Sequence, residues 1–261
     1  MSWIDAGVNL LDPRFELNEV LDNAESKGVE KLLVISSTIE ESEQALELCK
    51  RNQHGVSLRL TAGVHPHYSE NTNAKTFTKL KAILADRLVS AVGECGLDFN
   101  RNFSSQAKQL YAFEHQLALA SELGMGVYLH ERDAFDKQTR LLEQYAADLK
   151  FMVAHCFTGN HEQLQVYLSL GCYVGITGWL CDEKRGADLR QASLSLPLSR
   201  LLLETDAPYL FPKTLRPKRS KNEPSNIPYI GEYLAQLRGE SLHDVQKHAF
   251  DNAFKLFFNE E

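Results

Sequence analysis

Eight short apolar runs, each followed by a segment with helical spacing, constrain the fold of this chain more than any other feature. The runs fall at 3–8, 31–36, 58–64, 89–93, 126–129, 151–154, 173–176 and 201–203. Brief apolar stretches bounded by turn-forming residues read as strands buried on both faces. Between them, apolar positions recur with helical period over 16–27, 40–51, 76–84, 104–123, 134–149, 161–170 and 186–193, and two closing helices are expected at 227–237 and 242–258. Strand and helix alternating eight times within 261 residues predict an α/β fold, a (β/α)8 TIM barrel forming a single domain over 1–261. A doubly wound open sheet is the competitor, but it would use fewer strands. Thr76 and Ser104 are expected N-caps, and Gly28, Gly124 and Gly171 stand where helices should stop. The chain has no internal repeat and no low-complexity linker.

At 43% hydrophobic residues, the chain can bury a large core. Its net charge of -7 repels nucleic acid and anionic membranes as a whole, so a polyanionic partner requires a local basic patch. The five cysteines are odd in number and form no C-x-x-C, which argues against a disulfide framework or a cysteine zinc site and favours a reducing cytoplasm. The first residues carry no signal-like pattern, and no apolar stretch approaches the roughly 18 residues of a membrane span. A soluble, cytoplasmic chain with no membrane partner, acting as a monomer, is the expectation.

Four of the apolar runs deliver a metal-ligand residue type at their C-terminal ends: Glu94 after Ala91-Val92-Gly93, His130 after Val127-Tyr128-Leu129, His155 after Met152-Val153-Ala154, and Asp206 after Leu203-Glu204-Thr205. Two imidazoles and two carboxylates are the ligand set of a divalent ion. In a barrel these ends converge on the face where active sites are built. The alternatives are ordinary ones. Glu94 could pair with Arg132 or Arg101, each histidine could be a hydrogen-bonded structural residue, and Asp206 could cap the turn before Pro208. As a functional group Asp206 is either a ligand or the general base that orients a water, or both. His65, at the end of the third run, joins the same rim as ligand, phosphate contact or bystander, with substrate contact ranked first. His67 is expected at the surface.

Five cations in nine residues, Lys213 to Lys221, follow the Asp206 loop directly. A charge run is usually a solvated loop, yet beside a metal centre on an acidic protein it can hold a phosphate backbone. Arg101, Arg132, Lys218 and Arg219 are the candidate phosphate contacts. Phe99, Phe103, Phe157, Trp179 and Tyr209 lie near the expected rim, where one or two of them could stack on unpaired bases.

Gly63-Val64-His65-Pro66, Gly93-Glu94-Cys95-Gly96-Leu97-Asp98, His130 with Arg132-Asp133-Ala134, His155-Cys156-Phe157-Thr158-Gly159 and Glu204-Thr205-Asp206-Ala207-Pro208-Tyr209 together resemble the TatD family of metal-dependent hydrolases, within the amidohydrolase-like barrels. The resemblance runs from the first strand to the final helices. It implies a deoxyribonuclease whose divalent ion is held by Glu94, His130, His155 and Asp206, with Glu94, Asp206 and His65 catalytic. It further implies Mg²⁺ and 3′ to 5′ exonuclease action on single-stranded DNA, extending to RNA, in repair or degradation. The imidazoles by themselves suit Zn²⁺ or Mn²⁺ better. One departure matters: Gly7 and Asn9 stand where most of the family carries a His-x-His pair, which should weaken or abolish one of two metal positions. The family's bacterial single-strand exonuclease shares that replacement, so the chain resembles it more than it does that protein's paralogues. The rival readings are a metal-dependent amide or ester hydrolase, for example of an aminoacyl ester, and a non-catalytic barrel. The basic run favours a polyanion over a small neutral substrate.

Overall fold

The computed structural model of the protein describes residues 2–259. Eight strands, β1 (Trp3–Val8), β2 (Val29–Val34), β3 (Ser57–Ala62), β4 (Val89–Asp98), β5 (Gly126–Arg132), β6 (Met152–Ala154), β7 (Tyr173–Ile176) and β8 (Leu201–Leu203), lie side by side in chain order in one sheet. Every neighbouring pair is parallel. The segment leaving β8 returns to β1 through a Val8–Ala207 bridge, with Asp206 N donating to Gly7 O and Asn9 N to Ala207 O, each at 2.9 Å. The ring is thus nearly closed, and the expected barrel is the observed fold.

The connecting helices are α1 (Leu17–Ser26), α2 (Ile39–Arg51), α3 (Ala74–Leu84), α4 (Gln106–Leu123), α5 (Phe135–Tyr145), α6 (His161–Ser169) and α7 (Ala187–Ser193), with α8 (Ile227–Arg238) and α9 (Leu242–Ala253) after the last strand. Period-two alternation divides the core. Ile4, Ala6, Leu33, Ile35, Val153 and Leu202 belong to an inner cluster, whereas Trp3, Leu32, Val34 and Val174 pack with the helices. Phe257 and Phe258, from the turn after α9, join the inner cluster. Phe257 meets the Phe151 ring edge-on at 5.7 Å. Because Phe151 precedes β6, this tail plugs the N-terminal end of the barrel and leaves the other end for chemistry.

Two strands outrun their sequence patterns, both at that other end. β4 was expected to stop at Gly93 because Glu94 is charged, but it continues to Asp98 with every residue from Ala91 onward buried. Its extension pairs Cys95 with Leu129, Gly96 with His130 and Asp98 with Arg132, so β5 lengthens with it. Capping also differs. Asn73, not Thr76, caps α3, and the Thr76 hydroxyl accepts from Asn73 N at 3.2 Å as the third helical residue of a capping box. α4 begins after Ser105, while Ser104 donates instead to His67 O at 2.9 Å. α5 ends at Tyr145, and α9 ends at Ala253, where a wider π-turn takes over. Gly28, Gly124 and Gly171 adopt the left-handed backbone expected at helix ends.

Candidate active site

Glu94, His130, His155 and Asp206 meet at the open end of the barrel, in a cleft of about 1030 Å³ that His65 also lines. Glu94 is buried inside β4, with its Oε1 3.0 Å from His130 Nδ1, 3.5 Å from His65 Nε2 and 3.9 Å from His155 Nε2. Its partners are therefore imidazoles, and neither Arg101 nor Arg132 forms the alternative ion pair. His155 Nε2 lies 3.8 Å from Asp206 Oδ1 on its other side. Separations of about 3 to 4 Å are those of donors sharing one cation at roughly 2.1 Å bonds. The turns that present these groups are tight: Cys156, just after His155, and Asp206 hold φ of 44° and 50°, a region non-glycine residues occupy sparingly and mostly where function demands it.

A supporting layer orients the donors. His155 Nδ1 donates to Glu204 Oε2 at 2.8 Å, and the Tyr128 hydroxyl sits 2.7 Å from the same nitrogen and 2.9 Å from both Glu204 Oε1 and Ala6 O. With its proton held at Nδ1, His155 turns a bare Nε2 toward Glu94 and Asp206 when neutral. Asp98 does the corresponding work for His130 and His67, whose Nε2 atoms lie 3.2 and 2.7 Å from its Oδ2. His65 is different. Its Nδ1 accepts from His67 N at 3.1 Å, so its ring proton resides on Nε2, aimed at Glu94.

Donor clusters that could hold an ion are His155 with Cys156 and Asp206, and His65 with His67 and His130. The second is weakened by the His65 tautomer, because ligation through Nε2 would force a proton onto Nδ1 against the His67 N–H. The first, joined by Glu94, fits a divalent cation.

The first strand carries no imidazole at the cleft, and the structure shows what fills that space. A Cβ at Gly7 would stand 2.2 Å from Tyr128 Oη, so the phenol occupies the space a side chain at position 7 would need. Asn9 Nδ2 donates to Asp206 Oδ1 at 2.9 Å, which spends the amide on positioning Asp206. Asp5 is caged by Thr205 N at 2.8 Å and the Thr205 hydroxyl, and burial raises its carboxyl to about 7.

Charge is arranged to match. Burial opposes ionisation of Glu94, but the surrounding imidazoles outweigh it and hold the carboxyl well below its usual range. Burial would likewise lower His130 and His155, yet Asp98 with Glu94 pushes the first up to about 9 and Glu204 pushes the second up to about 10. His65 is driven down to about 4 by burial. Burial raises Asp206 to about 6, against the pull of His155.

The expected phosphate contacts divide. Arg101 and Arg132 line the main cleft, whereas Lys218 and Arg219 line a neighbouring cavity. Of the aromatics, Phe99, Trp179 and Tyr209 reach the cleft, Phe157 is buried against Tyr167, and Phe103 is 65% exposed over His67. His67 is not the surface residue its sequence position suggests. The turn starting at Pro66 folds it back onto Asp98. Sequence reasoning passed over Asp98, Glu204 and Tyr128. Asp98 and Glu204 had a signal, each being a carboxylate two to four residues from a candidate ligand at the end of an apolar run.

The profile of the TatD-related DNases matches residues 4–258. The chain belongs to the TatD-related DNase family. It is 43% identical over 257 residues to the 3′-5′ ssDNA/RNA exonuclease TatD of Erwinia amylovora, covering 97% of this chain and 98% of that protein. The protein of the same name from Escherichia fergusonii is 45% identical over the same shares. Among solved structures, the TatD homologue YJJV of Escherichia coli K12 superposes with a TM-score of 0.88 at 29% identity, covering 98% of each chain. A TatD family hydrolase from Entamoeba histolytica gives 0.89 at 25% identity, over 99% of this chain and 98% of its own. Family and donor clusters alike point to a divalent metal site. No helix among the described residues is long and apolar enough to cross a membrane.

Proposed function

We propose that this chain is a metal-dependent exonuclease that removes nucleotides from the 3′ end of single-stranded DNA or RNA. The observation that carries the reading is the convergence of Glu94, His155 and Asp206 on one point of the cleft, in a member of a DNase family. A divalent ion bound there supplies Lewis-acid polarisation of a phosphoryl oxygen and a nucleophile at neutral pH. Glu94, His155 and Asp206 are its ligands in this proposal, with His130, oriented by Asp98, presenting Nδ1 beside Glu94 to join them. Mg²⁺ suits two carboxylates completed by substrate phosphate, while the imidazoles make Mn²⁺ and Zn²⁺ the alternatives.

Asp206, 3.8 Å from His155 Nε2 in the cleft, is placed both to hold the ion and to orient the attacking water. His65 lines the cleft beside Glu94, where its Nε2–H turns to a phosphate oxygen once Glu94 faces the ion, and Arg101 and Arg132 offset charge along the cleft wall. Action as a monomer in a reducing cytoplasm is part of the proposal, the latter supported by five cysteines that form no C-x-x-C. Digestion of a single-stranded oligonucleotide labelled at its 5′ end tests the proposal. A ladder of labelled products shortened from the 3′ end, abolished by chelator and restored by Mg²⁺, is expected. Release of a labelled mononucleotide at the outset would contradict the polarity, and no shortening would contradict the activity.

A further inference from the structure

A second cavity of about 490 Å³ adjoins the main cleft and shares Trp179, Arg185 and Leu210 with it. Its size falls within the roughly 300–1,000 Å³ of small-ligand sites. Four cations, Arg185, Lys213, Lys218 and Arg219, line it against one carboxylate, Asp182. That carboxylate is already engaged, by Arg185 and Lys213 at 2.7 Å each. Lys218 makes no hydrogen bond or ion pair among the described residues, and Arg219 reaches Glu223 only at 4.0 Å. The remaining wall is apolar or aromatic. Trp179 stands between the two spaces with the Arg185 guanidinium 4.1 Å over its ring, and Leu210 and Phe211 lie beside it. The opposite wall of the main cleft differs: there Arg101, Arg132 and Lys137 are balanced by Glu131, Asp133 and Asp136. By formal charge, the Trp179 side favours a polyanion over that balanced wall.

We propose that this second cavity is a nucleotide subsite that holds the retained part of the strand beside the scissile phosphate, with Lys218 and Arg219 on its backbone and Trp179, Leu210 and Phe211 against a base. The inference rests on the nuclease reading of the main site and adds to it a dependence of catalysis on strand length. A cavity with an excess of cations, Lys218 unpaired among them, beside an apolar and aromatic wall matches a nucleotide, since phosphate contacts supply salt-dependent affinity and base stacking is tolerant of sequence. Lys218 and Arg219 are exposed, so replacing them leaves the core untouched.

The experiment measures kcat/KM of the Mg²⁺-loaded enzyme on single strands from a dinucleotide to an octanucleotide, for the wild type and the Lys218→Ala/Arg219→Ala double variant. In the wild type kcat/KM climbs with length and then levels off. In the variant, kcat/KM for the hexanucleotide falls about tenfold relative to that for the dinucleotide, and its salt slope weakens by about 0.7 for each phosphate that is no longer neutralised. Lys218→Gln and Arg219→Gln singly each give a part of that ratio change, and unchanged melting temperatures exclude a folding defect. No change in the length ratio, or an equal loss at all lengths, overturns the subsite while leaving the nuclease reading intact. A wild type that hydrolyses no strand of any length overturns both.

Discussion

Glu94 and Asp206 are carboxylates of opposite tendency set within 4 Å of the same nitrogen, His155 Nε2. Imidazoles hold the first ionised, whereas burial raises the second to about 6. In the metal-free cluster Asp206 is therefore protonated before Glu94 on acidification. The hinge of the arrangement is Glu204, which is fully buried and fixes His155 through Nδ1. Replacing Glu204 with Gln should therefore lower divalent-metal affinity by about 10- to 100-fold, measured by titration calorimetry with Mn²⁺. Unchanged affinity would remove Glu204 from the positioning role. At this scale the sequence was legible where a chemical group ended an apolar run, as Glu94, His130 and His155 do. It was silent on Tyr128, because a tyrosine inside a strand looks like any core aromatic. Its role arises only from Gly7, across the barrel, leaving room for its hydroxyl.

At the scale of elements, β4 decides the geometry of the site. It enters as an ordinary buried strand and leaves carrying both Glu94 and Asp98, so one strand supplies the anions on either side of His130. Apolar periodicity ended the strand at Gly93, since burial of a charged residue is justified only by partners on other strands, which a local pattern does not contain. Gly96 is the position that permits this close approach. Its φ is +138°, and an added Cβ would lie 2.0 Å from His130 O. Gly96→Ala should cost about 3 to 5 kcal/mol through backbone strain and overpacking combined, read as a lowered urea midpoint, and should displace His130. A variant as stable as the wild type would show that the strand tolerates a shift at this point. The helices, by contrast, were legible to within a few residues, because their amphipathic pattern is local. Their caps were less so, since Asn73 and Thr76 are both competent N-cap types and only the hydrogen bonds choose between them.

For the whole molecule, the tail plug at one end and the titratable cluster at the other give the barrel two unlike faces. The eight-fold alternation conveyed the barrel, but the closure between β1 and the segment after β8 rests on one bridge and a few backbone hydrogen bonds that no periodicity encodes. The charged face makes stability depend on pH when metal is withheld. His130 and His155 have folded values of about 9 and 10 against an ordinary 6.5. Their contribution is thus fully present below pH 6.5 and is lost as pH rises through 9 to 10. Glu94 and Asp98 are shifted downward, so their contribution is present above the ordinary carboxylate range and is lost on acidification. Metal-free protein should accordingly melt at its highest temperature in mildly acidic to neutral solution and progressively lower from pH 7 to 10, as calorimetry in chelator would record. A melting temperature flat across that alkaline range would deny the ion-paired state of the two histidines. Metal uptake has the reverse sign, growing tighter with pH as protons leave both imidazoles.

The central claim is spatial, namely that Glu94, His155 and Asp206 surround a common cation. Anomalous diffraction from crystals grown with Mn²⁺ reads it directly. The account predicts one strong peak per chain at about 2.1 Å from Glu94, His155 Nε2 and Asp206, absent in Glu94→Gln crystals. A peak held instead by His65, His67 and His130, or no peak in this cleft, would contradict it.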